Sequence, residues 1–151
     1  MESDKPSRLY FDTYIAMIQN APGTQMFRHF YVQSGEGRKF DALEDGENAC
    51  AFFVSSVLKL FDKIHSVHGT VANTVKELEE TGWEKVDNPI AGDVIIWKAN
   101  AKANNHEHIG FSLGNKQAAS TSSAKKEVTK HDLDFGSESR PIRSVYRMNQ
   151  W

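Results

Sequence analysis

The sequence predicts an α+β domain in which helices pack on one face of a small antiparallel sheet. Apolar side chains recur at helical spacing between residues 50 and 61, which predicts an amphipathic helix there. The run Val94-Ile95-Ile96-Trp97 is apolar on both faces, as in a central strand. Two short segments around Gly114-Asn115 indicate a β-hairpin. Helical patterns come first along the chain and strands follow, which is the order of an α+β fold.

The N-terminal part predicts one helix and two strands. Residues 7–20 form the helix, which ends in the turn-forming stretch 20–23. Residues 26–32 are aromatic and β-branched, so they predict a strand. A glycine turn then leads into a return strand over 38–43. The apolar residues that recur at helical spacing in the first helix are Tyr10, Tyr14, Ile15 and Ile18.

The strongest helix follows the polar loop 41–48. Asn48 is its expected N-cap, which places Cys50 in the first helical turn. Ser55, Ser56 and Lys59 are expected on the face away from the core. The core stripe consists of Cys50, Phe53, Val54, Val57, Leu58 and Phe61.

The remaining elements are a second capped helix and the strands of the sheet. Either Thr70 or Asn73 caps a helix that runs to Thr81 and stops at Gly82. We expect residues 99–105, which are small and rich in asparagine, to be mobile at the rim of a cleft. Strands are predicted at 94–97, 108–113, 117–122 and 142–148, with an exposed polar segment at 122–130.

Composition limits the classes of function. The 151 residues suit a single domain, 1–151, and the net charge of −2 gives no basic field for nucleic acid. No apolar run is long enough for a membrane span, and Met1 to Pro6 shows no signal peptide, so we expect a cytoplasmic protein. The single cysteine excludes an intramolecular disulfide. No cofactor is expected, and the oligomeric state is not predicted.

Cys50 is the first candidate for chemistry. The positive end of a helix dipole lowers a thiol pKa, and free N–H groups in the first turn can stabilise an oxyanion, with the N–H of Cys50 as the first donor. The alternative is a small buried apolar residue that begins the stripe.

His108 is the second candidate, at the start of a strand whose period of two places it on one face with Gly110 and Ser112. A histidine that activates a nucleophile needs a third group to orient its ring. A two-residue turn would pair His108 with Thr121, and a three-residue loop would pair it with Ser120. The alternative for His108 is a surface histidine at a strand end. The alternative for Ser120 and Thr121 is a polar hairpin end that has no role in catalysis.

Three blocks of sequence, 48–58, 90–97 and 108–115, are together similar to motifs of a known family, and they resemble the NlpC-type papain-like cell-wall peptidases and the related CHAP amidases. Asn48 to Leu58 is similar to their nucleophile helix, and Ile90 to Trp97 to their "P-x-G-D-hydrophobic-W" strand. His108-Ile109-Gly110-Phe111-Ser112-Leu113-Gly114-Asn115 resembles their "H-[VI]-G-x-x-[LI]-G-N" strand, and the order of the blocks is the family's.

The resemblance implies a papain-like core and cleavage of amide bonds, usually in peptidoglycan stem peptides. Cys50 would be the nucleophile and His108 the general base and acid, and the family spacing makes Ser120 the third residue. That residue is usually His, Asn or Gln, and Ala49 stands where the family often has Asp. The second hypothesis is therefore a catalytically weak relative that binds peptides or a protein. A peptidoglycan substrate would require delivery outside the membrane by a signal-independent route.

The other histidines suggest a metal site only weakly. His65 and His68 have a short ligand spacing, as do His106 and His108, but no third ligand has a signature spacing. We therefore predict no metal, and we expect His29 and His131 on the surface. Asp93, which follows Gly92, is expected to accept hydrogen bonds in a turn.

Overall fold

The computed structural model describes residues 4–103 and 105–151. Their fold is α+β, with three α-helices, a two-stranded antiparallel sheet and a six-stranded antiparallel sheet. The helices are α1 (Tyr10–Asn20), α2 (Cys50–Leu60) and α3 (Val71–Glu80). The small sheet pairs β1 (Tyr31–Gln33) with β2 (Lys39–Asp41), and the large sheet has the order β3-β8-β4-β5-β6-β7. Its strands are β3 (Glu84–Val86), β4 (Val94–Trp97), β5 (His108–Gly114), β6 (Gln117–Ser122), β7 (Glu127–Asp132) and β8 (Ile142–Arg147).

The six-stranded sheet has apolar side chains on both faces. The helices cover one face, where Phe53 of α2 meets Phe111 of β5 edge to face at 5.3 Å between ring centroids. On the other face Ile95, Trp97 and Ala118 form a second cluster, covered by residues of the connection from β7 to β8. Central β4 is fully buried, as its apolar sequence predicts, because it has a layer on each side.

Helix α2 begins where the sequence predicts, but without the predicted cap. Ala49 is the N-cap residue and Asn48 is exposed, so no side chain caps the first turn. The expected exposure of Ser55 is wrong. Its hydroxyl donates to the carbonyl of Ala51 at 2.7 Å and accepts the N–H of His68 at 2.8 Å. The loop that follows α2 folds back over this face, and the two backbone hydrogen bonds compensate the burial of the hydroxyl.

Helix α3 has the predicted ends. The Thr70 hydroxyl accepts the N–H of Asn73 at 3.2 Å, so Thr70 is the cap of the two candidates. Gly82 follows the helix with φ of +92°, a conformation that glycine adopts without strain. Trp83 is then buried and donates its indole N–H to the Lys63 carbonyl at 2.9 Å.

The predicted strand over 26–32 is largely wrong. Only Tyr31–Gln33 is extended, because Arg28 closes a turn onto the carbonyl of Gln25. Within that turn the Phe27 ring packs against Phe53, with 5.0 Å between ring centroids. Burial of the aromatic side chain in the helix layer therefore outweighs its strand propensity.

The C-terminal half contains a hairpin that the sequence analysis does not predict, because one of its strands is mostly polar. Strand β7 pairs along all of β6, although the sequence predicts an exposed segment at 122–130. Only Val128 of β7 is buried, so an edge strand with one apolar position gives no clear alternation. The turn between β5 and β6 is centred on Asn115 and Lys116, both at positive φ, one residue later than predicted.

The turn before β4 is held by a buried carboxylate. Asp93 is 2% exposed and accepts the N–H of Ile90 at 2.8 Å, which confirms the prediction of a turn acceptor. Arg147 of β8 adds two hydrogen bonds to the same carboxylate, at 2.9 and 2.8 Å. This paired arrangement compensates the burial of the charge.

The segment from 99 to 105 contains one 3-10 turn, Ala101–Ala103, while Asn104 lies outside the described residues, as do residues 1–3. The mobility of this segment stays a prediction. In the described part of the chain, no helix combines the length and apolar character needed to cross a membrane.

Candidate active site

Cys50 is the first residue of α2, and this helix packs against β5 and β6. The two strands pair from Phe111 opposite Ala119 towards their turn, whereas β6 continues to Ser122 against β7 alone. Ile109 lies beyond the last of these pairs, and its backbone N–H is close enough to the Cys50 sulfur to lower the pKa of the thiol. The thiol is therefore placed against the residue that adjoins His108.

Opposing effects act on the Cys50 thiol. Burial raises its pKa above the usual value and is the largest effect. Hydrogen bonds from the N–H groups of Ile109, Ala51 and Cys50 itself act in the opposite direction, as does the positive charge of Arg140. Because burial prevails, the resting thiol is protonated at neutral pH, with donors already directed at the sulfur.

His108 opens β5 opposite Trp97 and lies among aromatic rings. Its ring centroid is 5.4 Å from that of Trp97 and 5.7 Å from that of Phe135. Burial lowers the pKa of His108 to about 3 and is the largest effect, and positive charge on Arg140 and on His131 lowers this pKa further. The imidazole is therefore neutral at pH 7, and so low a pKa makes it a weak base in the resting site.

Ser120 is not placed as the predicted third residue. The turn lies at Asn115 and Lys116, later than predicted. A bulge between Ser112 and Gly114 also shifts the register by one residue, so Ser120 lies opposite Gly110 rather than His108. Its hydroxyl is 2.6 Å from Nε2 of His131, and among the described residues no hydrogen bond joins Ser120 to His108. Thr121, the alternative, falls on the opposite face of β6, because side chains alternate along a strand.

His131 is therefore a member of the site's surroundings rather than the surface residue the sequence predicts. Its ring stacks on Phe135 with 4.0 Å between centroids and lies 5.6 Å from that of Trp97. Nδ1 is 2.7 Å from the Asp132 carbonyl, which can only accept, so Nδ1 carries the hydrogen. In the neutral ring Nε2 then accepts from the Ser120 hydroxyl. His29, by contrast, is exposed and pairs with Asp41 at 2.7 Å.

The connection from β7 to β8 supplies two further residues that the sequence analysis misses. Phe135, at φ of +63°, covers both imidazoles, and Arg140 fixes the other end of the loop. The Arg140 side chain donates to the carbonyls of Lys98 at 3.0 Å and His106 at 2.6 Å. Recognising 127–132 as a strand would have pointed to these residues, because β7 brings His131 next to Ser120 and leads into this loop.

The structure thus brings Cys50 close to Ile109, and the charge of Arg140 acts on both Cys50 and His108. No hydrogen bond between described residues joins Cys50 to His108, and Ser120 is bonded to His131 instead. Among the described residues no three His, Cys, Asp or Glu side chains are grouped as metal ligands. Comparison with models of known protein families gives no match. A comparison with curated proteins also finds none.

Proposed function

We propose that this chain is a cysteine-dependent hydrolase of peptide amide bonds, built on a papain-like core. The observation that carries the proposal is Cys50 at the start of α2, with its sulfur close to the N–H of Ile109, the residue next to His108 on β5. A nucleophile at a helix start, with a histidine on the adjoining strand, is an arrangement that suits acyl transfer. The similarity of three sequence blocks to NlpC-type peptidases supports peptidoglycan stem peptides as the substrate.

In this mechanism the neutral imidazole of His108 takes the thiol proton while the Cys50 sulfur attacks the substrate carbonyl carbon. Intrahelical bonding in α2 begins only with the N–H of Phe53, so no helical carbonyl takes the N–H groups of Cys50 and Ala51. In the resting site these two groups act on the sulfur, and they would turn to the oxyanion as it forms beside that sulfur. The C–N bond then breaks, and the amine leaves with the proton from His108. Water hydrolyses the thioester with His108 again as base, which regenerates the thiol.

A second candidate function is a binding module for peptides or a partner protein. Burial keeps the Cys50 thiol protonated and the His108 imidazole neutral, and Ser120 is bonded to His131 instead of orienting His108. These are the features expected of a site that has lost efficient chemistry.

The deciding experiment is hydrolysis of a peptidoglycan stem peptide, followed by mass spectrometry of the products. We expect turnover by the parent chain, none by Cys50→Ala, and a loss of about 10²–10⁴-fold in His108→Gln. His106→Gln, which changes an exposed side chain two residues before His108, is the control and should retain turnover.

Alkylation of Cys50 by iodoacetamide gives an independent measure. Because burial raises the thiol pKa, labelling should be slow at pH 7 and accelerate as pH rises past 9. Peptide binding by both the parent and Cys50→Ala, without turnover by either, would instead establish the binding module.

A further inference from the structure

The Arg140 guanidinium is fixed by two hydrogen bonds that use only some of its N–H donors. Nε donates to the Lys98 carbonyl at 3.0 Å and Nη2 to the His106 carbonyl at 2.6 Å, while its backbone N–H donates to Asp134 at 2.9 Å. A guanidinium has five N–H donors, so three remain, two on Nη1 and one on Nη2. These point along the terminal edge of the fork, which matches the two oxygens of a carboxylate.

Within the described residues, no carboxylate forms an ion pair with the Arg140 guanidinium. Burial lowers the pKa of Arg140 and is the largest effect, while negative charge on Cys50 and on Glu138 acts in the opposite direction. The nearby Arg143, in comparison, forms an ion pair with Glu107. Arg140 is partly exposed, so its remaining donors are accessible to a ligand carboxylate from solvent.

The position of Arg140 puts that edge beside the candidate site. Lys98 directly follows Trp97, the residue paired with His108, and His106 lies two residues before His108. The guanidinium therefore spans the two chain segments that flank the Trp97–His108 pair. Its charge acts on both the Cys50 thiol and the His108 imidazole.

We propose that Arg140 is a specificity residue that binds a carboxylate of the substrate next to the scissile amide. The proposal rests on the proposed function for its account of turnover, but binding of the carboxylate is independent of it. A bound carboxylate would also neutralise one of the charges that lower the pKa of His108, so an acidic substrate makes the imidazole a better base.

Binding is tested in Cys50→Ala, which removes any turnover, by calorimetry with three peptides. They are N-acetyl-Ala-Glu-Lys amide, N-acetyl-Ala-Gln-Lys amide, and the glutamine peptide with a free terminal carboxylate. We expect at least one carboxylate peptide to bind about 10-fold or more tightly than the neutral one, corresponding to about 1.4 kcal/mol. The two acidic peptides distinguish a side-chain carboxylate from a terminal one.

In Cys50→Ala, the additional substitution Arg140→Gln keeps amide donors but loses the charge. It should reduce the preference for the carboxylate peptide over the neutral peptide to less than about 2-fold. Arg140→Lys should retain part of it, since the charge remains without the fork. Arg143→Gln is the matched control and should keep the full preference, with thermal unfolding confirming that each variant is folded. Equal binding of all three peptides by Cys50→Ala, or a preference that survives Arg140→Gln, would overturn the proposal, whereas lack of turnover in the parent would overturn only the proposed function.

Discussion

Gly110 and Ser120 face each other across β5 and β6 with no room between them. A Cβ atom on Gly110 would lie 2.8 Å from the Cβ of Ser120 and 2.6 Å from the carbonyl oxygen of Ala119. The contact holds the two strands together one residue beyond their last ladder pair, Phe111 with Ala119. The glycine beside the candidate base is thus required by close packing rather than by an unusual φ.

Gly110→Ala should therefore destabilise the fold, by about 1–3 kcal/mol, because the added methyl group forces backbone to move. Urea unfolding measures the loss. Gly35→Ala is the matched control, since a Cβ there meets no atom within 4 Å, and it should change stability by less than about 1 kcal/mol. Equal stability of the two variants would contradict the packing argument.

The stability of the fold should depend on pH through His108. Its pKa is lowered to about 3 in the folded state from the ordinary value of 6.5, so below pH 6.5 the unfolded chain binds more protons. Stability is full above pH 6.5 and is lost progressively as pH falls towards 3. Between pH 7.5 and 5.0 we expect a loss of about 1–2 kcal/mol in the free energy of unfolding.

His108→Gln should remove most of that pH dependence, as measured by urea unfolding at both pH values. The pKa of His131 is also lowered, with burial as the main cause, so His131→Gln should remove a further part. Most carboxyl groups titrate below this window and do not interfere. A parent chain equally stable at pH 7.5 and 5.0 would show that His108 is not buried as described.

Ser120 should control the titration of His131. The hydroxyl donates to Nε2 of the neutral ring, so Ser120→Ala removes a bond that favours the neutral form and should raise the pKa of His131. Titration of the imidazole by NMR measures the change, and we expect a loss of about 1 kcal/mol in stability. Ser122→Ala, on the same strand but bonded to Lys125, should leave the titration of His131 unaltered.

Arg147 should matter more to stability than any exposed arginine. Arg147→Met leaves the carboxylate of Asp93 buried without its cation, which costs about 3–5 kcal/mol. Arg143→Met, which breaks the more exposed pair with Glu107, should cost less than about 1 kcal/mol. Thermal unfolding of the two variants compares them directly, and similar losses would show that burial of Asp93 is not decisive.

The sequence by itself determined the fold class and the elements with a strong local pattern. The stripe of α2, the Thr70 cap, the apolar run of β4 and the start of β5 at His108 all lie where their periodicity predicts. In each case burial on one or both faces requires a regular spacing of apolar residues, and that spacing is visible in one dimension. The placement of Cys50 in the first turn of a helix follows from the same stripe.

Only the tertiary structure decided what surrounds Cys50 and His108. Strand β7 has one buried residue, so its sequence carries no alternation, yet it brings His131 to Ser120. A bulge of one residue turned Ser120 towards Gly110, and no local pattern specifies such a shift. Arg140 reaches the site through carbonyl groups of Lys98 and His106, and backbone acceptors are the same in every sequence, so this contact exists only once the chain has folded.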